Sequence, residues 1–185
     1  PHEVKPAVEP IGFIAPTLDG QVTHFYEWRE AGYFDAKPAR GSMHQAEGFL
    51  RGFYYGFNLE NLYFRIDPII RARNHLEGVY FVIRLLAPAE YQLRIPVHPS
   101  ERETGVFYLS RPGSDAPPRV LFSIGQRPVI ELAVPFSDVS CRPKDRLDFF
   151  VGVRKGDLEI ERYPRSGYLS LIVPDRDYEQ AIWQV

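Results

Sequence analysis

The stretch Tyr54 to Asp67, YYGFNLENLYFRID, packs five aromatic rings into fourteen residues. Rings of this kind can stack on the apolar face of a sugar, while a few polar groups fix its hydroxyls. In the second half of the stretch, Leu62, Phe64 and Ile66 share one parity, and Tyr63, Arg65 and Asp67 share the other. Successive side chains of a strand point to opposite faces, so the first set predicts a core face and the second a wetter one. Tyr54 and Tyr55 have opposite parity, so only one of them faces the core. Tyr108, Tyr163 and Tyr168 fall at or near turns, Trp28 closes an apolar run, and Trp183 lies beside the C-terminal end. Tryptophan is highly buried on average, so Trp28 is expected in the core. The competing reading of any one tyrosine is that it completes a sheet face, because aromatics form strands whatever their function.

Other chemistry has thinner support. Glycoside hydrolysis needs two carboxylates about 5–10 Å apart across a cleft. The chain has 24 acidic residues, so pairs are inevitable, and none is marked out by its context. There is no Gly-x-Ser-x-Gly elbow, phosphate loop or His-Glu-x-x-His helix. Met43 beside His44 raises axial haem ligation, but adjacent residues cannot easily cap opposite faces of one haem. The histidine would have to come from elsewhere, such as His75 or His98, and a satisfied structural histidine is the better reading of His44. Asp175-Arg176-Asp177-Tyr178-Glu179 spaces three carboxylates two apart, which suggests a structural calcium, yet Arg176 intervenes and the EF-hand pattern is missing. A solvated acidic turn accounts for it better. Glu161, Arg162 and Arg165 read as a structural ion-pair cluster at a strand end. The one cysteine, Cys141, excludes an internal disulfide and a cysteine-rich zinc site.

These residues need strands to hold them. Phe49 to Asp67 reads as a β-hairpin around the turn Asn58-Leu59-Glu60-Asn61. Further strands are expected over Val22 to Trp28, Val79 to Leu86, Glu90 to Val97, Gly105 to Leu109, Val120 to Ile124, Val129 to Val134, Leu147 to Val153, Leu158 to Tyr163 and Tyr168 to Val173. Dense glycine and proline punctuation separates them, as in Arg111-Pro112-Gly113 and Lys155-Gly156-Asp157. Short helical turns are expected within Pro135 to Asp145 and Asp175 to Trp183. Many short strands at near-regular spacing predict an all-β antiparallel sandwich with little helix. Residues 1–16, with four prolines, read as an extended lead-in or linker, and residues 17–185 as one domain. The net charge of −2 offers no overall field for nucleic acid, and no apolar run approaches the roughly 20 residues of a membrane helix. A soluble protein is therefore expected, with its compartment open. A chain that opens on Pro1 and holds its one methionine at Met43 is expected to be a processed product or a segment of something longer.

Several pieces together resemble a known family. They are Asp19-Gly20 with Phe25-Tyr26-Glu27-Trp28 and Ala31-Gly32; Met43-His44; Tyr54-Tyr55-Gly56-Phe57 with Leu62 to Asp67; Phe149-Phe150-Val151; Glu161-Arg162-Tyr163-Pro164; and Val173-Pro174 with Tyr178-Glu179 and Trp183. The combination resembles the β-sandwich domain C-terminal to the catalytic part of family 57 glycoside hydrolases of the α-amylase and amylopullulanase type. A similar domain closes glucodextranase-type enzymes, and the wider DOMON-like group includes family 9 carbohydrate-binding modules. The resemblance runs from about Asp19 onward and implies a DOMON-like sandwich of bacterial or archaeal type. It implies a non-catalytic accessory module, with no cofactor, whose partners are an α-glucan or a glycosidase catalytic domain. The candidate carbohydrate-contacting residues are Tyr55, Tyr63, Arg65, Tyr168 and Trp183. The alternative is a docking domain that packs on the catalytic domain and stabilises it.

Overall fold

The computed structural model describes residues 2–22, 26–37, 48–69 and 77–182. Among them are twelve strands: β1 (Gly32–Asp35), β2 (Leu50–Phe57), β3 (Asn61–Pro68), β4 (Val79–Ala87), β5 (Tyr91–Pro96), β6 (Phe107–Ser110), β7 (Arg119–Leu121), β8 (Ile124–Gln126), β9 (Ile130–Pro135), β10 (Arg146–Lys155), β11 (Leu158–Tyr163) and β12 (Leu169–Ile172). A 3-10 turn at Phe136–Val139 and one short helix, α1 (Tyr178–Ile182), fall within the two segments expected to hold helical turns. The smaller sheet has the order β1-β2-β3-β9-β8 and the larger β11-β10-β4-β5-β6-β7, with all neighbours antiparallel. β12 pairs with the Arg146 to Phe149 half of β10, and β11 pairs with the half from Val151 to Lys155. The two strands therefore share one edge of β10, end to end. The architecture is the expected antiparallel β-sandwich.

Parity places the core. Phe53, Tyr55, Phe57, Leu62, Phe64 and Ile66 face inward from the smaller sheet, and Phe81, Ile83, Leu85, Phe149, Val151 and Val153 from the larger. All are buried, and Phe149 meets Tyr55 and Phe64 edge-on at ring distances of 5.0 and 5.4 Å. Edge-to-face packing of this kind adds to the burial of each ring. The hairpin turn is stabilised as its sequence suggests. The Asn58 side-chain oxygen accepts from the backbone N–H groups of Glu60 and Asn61 at 2.9 and 2.7 Å.

Three expectations are corrected. Residues 26–30 form turns, so the described end of the Val22 to Trp28 segment is not a strand; residues 23–25 lie outside the described residues. Val120 to Ile124 is not one strand, because the chain leaves the larger sheet after Leu121 and joins the smaller one at Ile124. A run of strand formers shows no break where the sheet changes, and β1 was too short to stand out by alternation. Residues 2–16 are extended but not free. Glu3 bridges to Tyr168, Val8 to Tyr33 and Phe13 to Phe57, so the segment is strapped to both sheets. No helix of the described residues is long and apolar enough to cross a membrane.

Candidate functional site

The two outer faces of the sandwich differ in what covers them. On the smaller sheet, Tyr33, Tyr54, Arg65, Glu131 and Gly125 form one row across β1, β2, β3, β9 and β8. Residues 14–22 and 26–31 fold over its middle and close a second apolar cluster of Ile14, Trp28, Ala31, Tyr63 and Ala133. The closure is polar at its centre. Glu131 is fully buried, and its two oxygens accept from the Trp28 indole N–H and the Gly20 backbone N–H, each at 2.8 Å. Burial pushes the Glu131 carboxyl above the ordinary carboxylate range, and the two hydrogen bonds oppose that shift. Gly20 has a positive φ of 72°, and a Cβ there would lie 2.6 Å from the Gln126 backbone. Gly125 is the reciprocal close approach, so two backbones touch where neither tolerates a side chain.

Of the five residues expected to contact carbohydrate, two lie in this covered region and one in the core. Tyr55 is the core-facing member of the Tyr54–Tyr55 pair, with no exposed surface, and its ring offers nothing to a ligand. Its hydroxyl has no hydrogen-bond partner among the described residues, and burial raises its pKa. Tyr63 is on the outer face as parity requires, but only 8% exposed, because the Ile14 to Ala31 segment lies on it. Its hydroxyl accepts from the Asn58 amide at 3.0 Å. Arg65 makes a bidentate pair with Asp67 at 2.8 and 3.2 Å and lies over the Tyr54 ring, so its fork is filled. Trp28 is 4% exposed and belongs to the covered cluster, consistent with the core expectation.

Tyr168 lies elsewhere. It shares parity with Ser170 and Ile172 on the outer side of the larger sheet, half-buried, with the Arg146 guanidinium 5.7 Å over its ring. Arg146 is filled by carboxylates, Asp148 at 2.8 Å and Glu3 at 3.3 Å. Trp183, Met43, His44 and His75 lie outside the described residues. His98 is exposed, with its Nδ1 3.3 Å from Arg127. Asp175 caps the turn into α1 and pairs with Lys144 at 3.5 Å. Among the described residues, no three histidine, cysteine or acidic side chains converge as metal ligands. Burial pushes the Cys141 thiol up to about 12, which leaves it a poor nucleophile.

The residues that sequence reasoning missed form the outer face of the larger sheet. Register sets Arg162, Gly152, Val82, Arg94 and Tyr108 in one row across β11, β10, β4, β5 and β6. Phe150, Arg84, Gln92 and Ser110 make the next row, and Arg154 stands opposite Tyr80. These arginine and aromatic side chains are each partly exposed. The Arg94 guanidinium lies 4.6 Å from the Tyr80 ring centre and 4.9 Å from that of Tyr108. Arg162 lies 3.6 Å over Phe150 and donates to the Gly167 carbonyl. Arg84 donates to the Gln92 amide oxygen at 3.4 Å, and Arg154 to the Asp157 carbonyl at 2.7 Å. Among the described residues, no carboxylate lies within ion-pair distance of these four guanidiniums. The only signal in the sequence was alternation, with arginine or tyrosine at every second position of Tyr80 to Arg84 except Val82, and again at Arg94 and Tyr108.

Such a face can hold a ligand by hydrogen bonds from planar forks and by contact with rings. Comparison of the chain with protein-family models, with curated proteins and with solved structures finds no match.

Proposed function

We propose that the chain is a non-catalytic accessory module of a glycoside hydrolase, binding carbohydrate on the outer face of its larger sheet. The observation that carries this reading is the Tyr80–Arg94–Tyr108 stack with Arg84 and Gln92 beside it: rings, guanidinium donors and an amide together on one partly exposed sheet face. Sugar recognition uses this combination, polar groups to fix hydroxyls and rings to cover the ring face. The link to a glycosidase, and α-glucan as the first ligand to test, come from the family resemblance of the sequence. Isothermal titration with maltooligosaccharides and a panel of other glycans, with calcium and with chelator, tests it. Saturable binding that Tyr108→Ala weakens supports the module. Absence of heat with every glycan rejects it.

A docking domain is the second reading, favoured by a separate feature. Leu158 and Ile160 of β11 and Ile172 of β12 are exposed along the same edge of the larger sheet, at 69, 40 and 56%. Exposed apolar groups gathered along one edge suit burial against a neighbouring domain. This reading predicts that a catalytic domain added in trans raises the thermal midpoint of the module, and that Ile160→Asp abolishes the rise.

A further inference from the structure

We infer that the outer face of the larger sheet selects acidic polysaccharide, a glycan with carboxylates along its chain, over neutral glucan. The inference rests on the carbohydrate reading above and adds the charge of the ligand. Its basis is an imbalance. Elsewhere arginines are met by acids: Arg65 by Asp67, Arg119 by Asp138, and Arg146, at one end of β10, by Asp148 and Glu3. Arg84, Arg94, Arg154 and Arg162 share one face and have no carboxylate partner among the described residues. Two acids stand on the same side of the sheet: Asp148, which is taken by Arg146, and Glu159, which is opposite Arg154 in the register and makes no ion pair with it.

Arg94 is the centre of the site. Tyr80 and Tyr108 hold its guanidinium by their rings, and it makes no hydrogen bond to any described residue. Ring contact fixes the plane of an arginine while leaving its N–H edge free, and a free planar fork fits a carboxylate with two parallel hydrogen bonds. Arg162 is likewise laid over the Phe150 ring, and Arg84 is held by its hydrogen bond to the Gln92 amide oxygen. Fixing these side chains beforehand lowers the entropy lost on binding.

Spacing argues for a chain rather than a single anion. From Arg94 on β5 to Arg162 on β11 is three strand intervals, roughly 14 Å at about 4.8 Å each. One small anion cannot reach both, whereas a uronate polymer carries a carboxylate on every sugar. Single-stranded nucleic acid also repeats its charge, but it binds by stacking bases on free rings. Here Tyr80 and Tyr108 flank Arg94 and Phe150 lies under Arg162, so the rings do not form a run of successive platforms for consecutive bases. The net charge of −2 also gives no long-range basic field to attract a nucleic acid.

The test titrates the full chain with three glycans and one nucleic acid: polygalacturonate, the same polymer fully methyl-esterified, maltoheptaose, and an oligo-thymidylate. Polygalacturonate is expected to bind at least about tenfold more tightly than its ester, with affinity falling as salt rises. Arg94→Ala is expected to weaken it about tenfold and Arg94→Lys nearly as much, because a point charge does not replace the fork. Arg102→Ala, in an exposed turn off this face, is expected to change nothing. Circular dichroism of each variant separates lost binding from lost fold. Equal binding of the ester or of maltoheptaose would overturn the charge inference and leave the carbohydrate reading intact. Binding of no glycan would overturn both. Tighter binding of oligo-thymidylate than of polygalacturonate would overturn the inference in favour of nucleic acid.

Discussion

The outer face of the smaller sheet and that of the larger sheet carry the same kinds of residue and use them in opposite ways. Each has a tyrosine beside an arginine: Tyr54 with Arg65 on one, Tyr80 and Tyr108 with Arg94 on the other. On the smaller sheet the arginine has Asp67, the acid has Trp28 and Gly20, and Ile14, Trp28 and Ala31 lie over the centre. On the larger sheet Arg146 is filled by Asp148 and Glu3, while Arg84, Arg94, Arg154 and Arg162 have no carboxylate partner among the described residues. An arginine and a tyrosine on one face therefore do not by themselves make a site. What distinguishes the two is whether the acceptors for the guanidinium are supplied by the chain itself. Polar groups satisfied internally contribute to one fixed structure, and donors left without an internal acceptor are available to a ligand.

Substitutions can break this contrast, beginning with the covered face. Trp28→Ala removes a buried ring and one of the two donors to Glu131, and is expected to cost about 4 kcal/mol, read as a fall in the urea midpoint. Glu131→Leu leaves the indole and the Gly20 N–H without an acceptor, at a cost of about 3 kcal/mol on the same measurement. The pH dependence sharpens the point. The folded pKa of Glu131 is raised above its unfolded value, so the native state holds the proton more tightly. That contribution is fully present below the unfolded pKa and is lost as pH rises through the folded one. The stability of the wild type relative to Glu131→Gln is therefore expected to fall as pH rises from the ordinary carboxylate range, in paired denaturation curves.

Smaller effects follow. Tyr55→Phe removes a buried hydroxyl without a described partner and is expected to leave stability unchanged or raise it by up to about 1 kcal/mol. Ligand affinity should not change, since the ring is sealed in the core. Arg94→Ala is expected to be the mildest for the fold, within about 1 kcal/mol, because it loses only ring contacts at a partly exposed position. A large loss of stability with Arg94→Ala and none with Trp28→Ala would reverse the assignment of the two faces.

The fold was legible in the sequence because a sandwich writes its core as alternation. Leu62, Phe64 and Ile66 were placed by parity alone, and the edges of β4, β5, β9 and β10 lie close to where their strand formers begin and end. The site was less legible for two physical reasons. Parity assigns Tyr63 to an outer face, but whether another segment covers that face depends on contacts over long sequence distances, such as Trp28 to Glu131. Parity was also silent on pairing, since Arg65 and Arg94 look alike in sequence and differ only in whether an acid lies within reach. Tyr168 was placed at a rim by its turn, and its neighbour Arg146 proved to be occupied.

The strap of residues 2–22 and 26–31 also has a consequence in time. Gly20 and Trp28 bond to an acid 111 and 103 residues later, and Glu3 bridges to Tyr168. During synthesis at roughly 5–20 residues per second, this segment emerges before its partners and has none until the strands it covers are complete, several seconds to half a minute later. It can join only after the long-range pairings of both sheets, which are themselves slow steps. A segment made before the strands it covers is thus expected to be among the last of this domain to become ordered, and in the interval Tyr63 and Ala133 remain exposed as a sticky patch that a chaperone can hold.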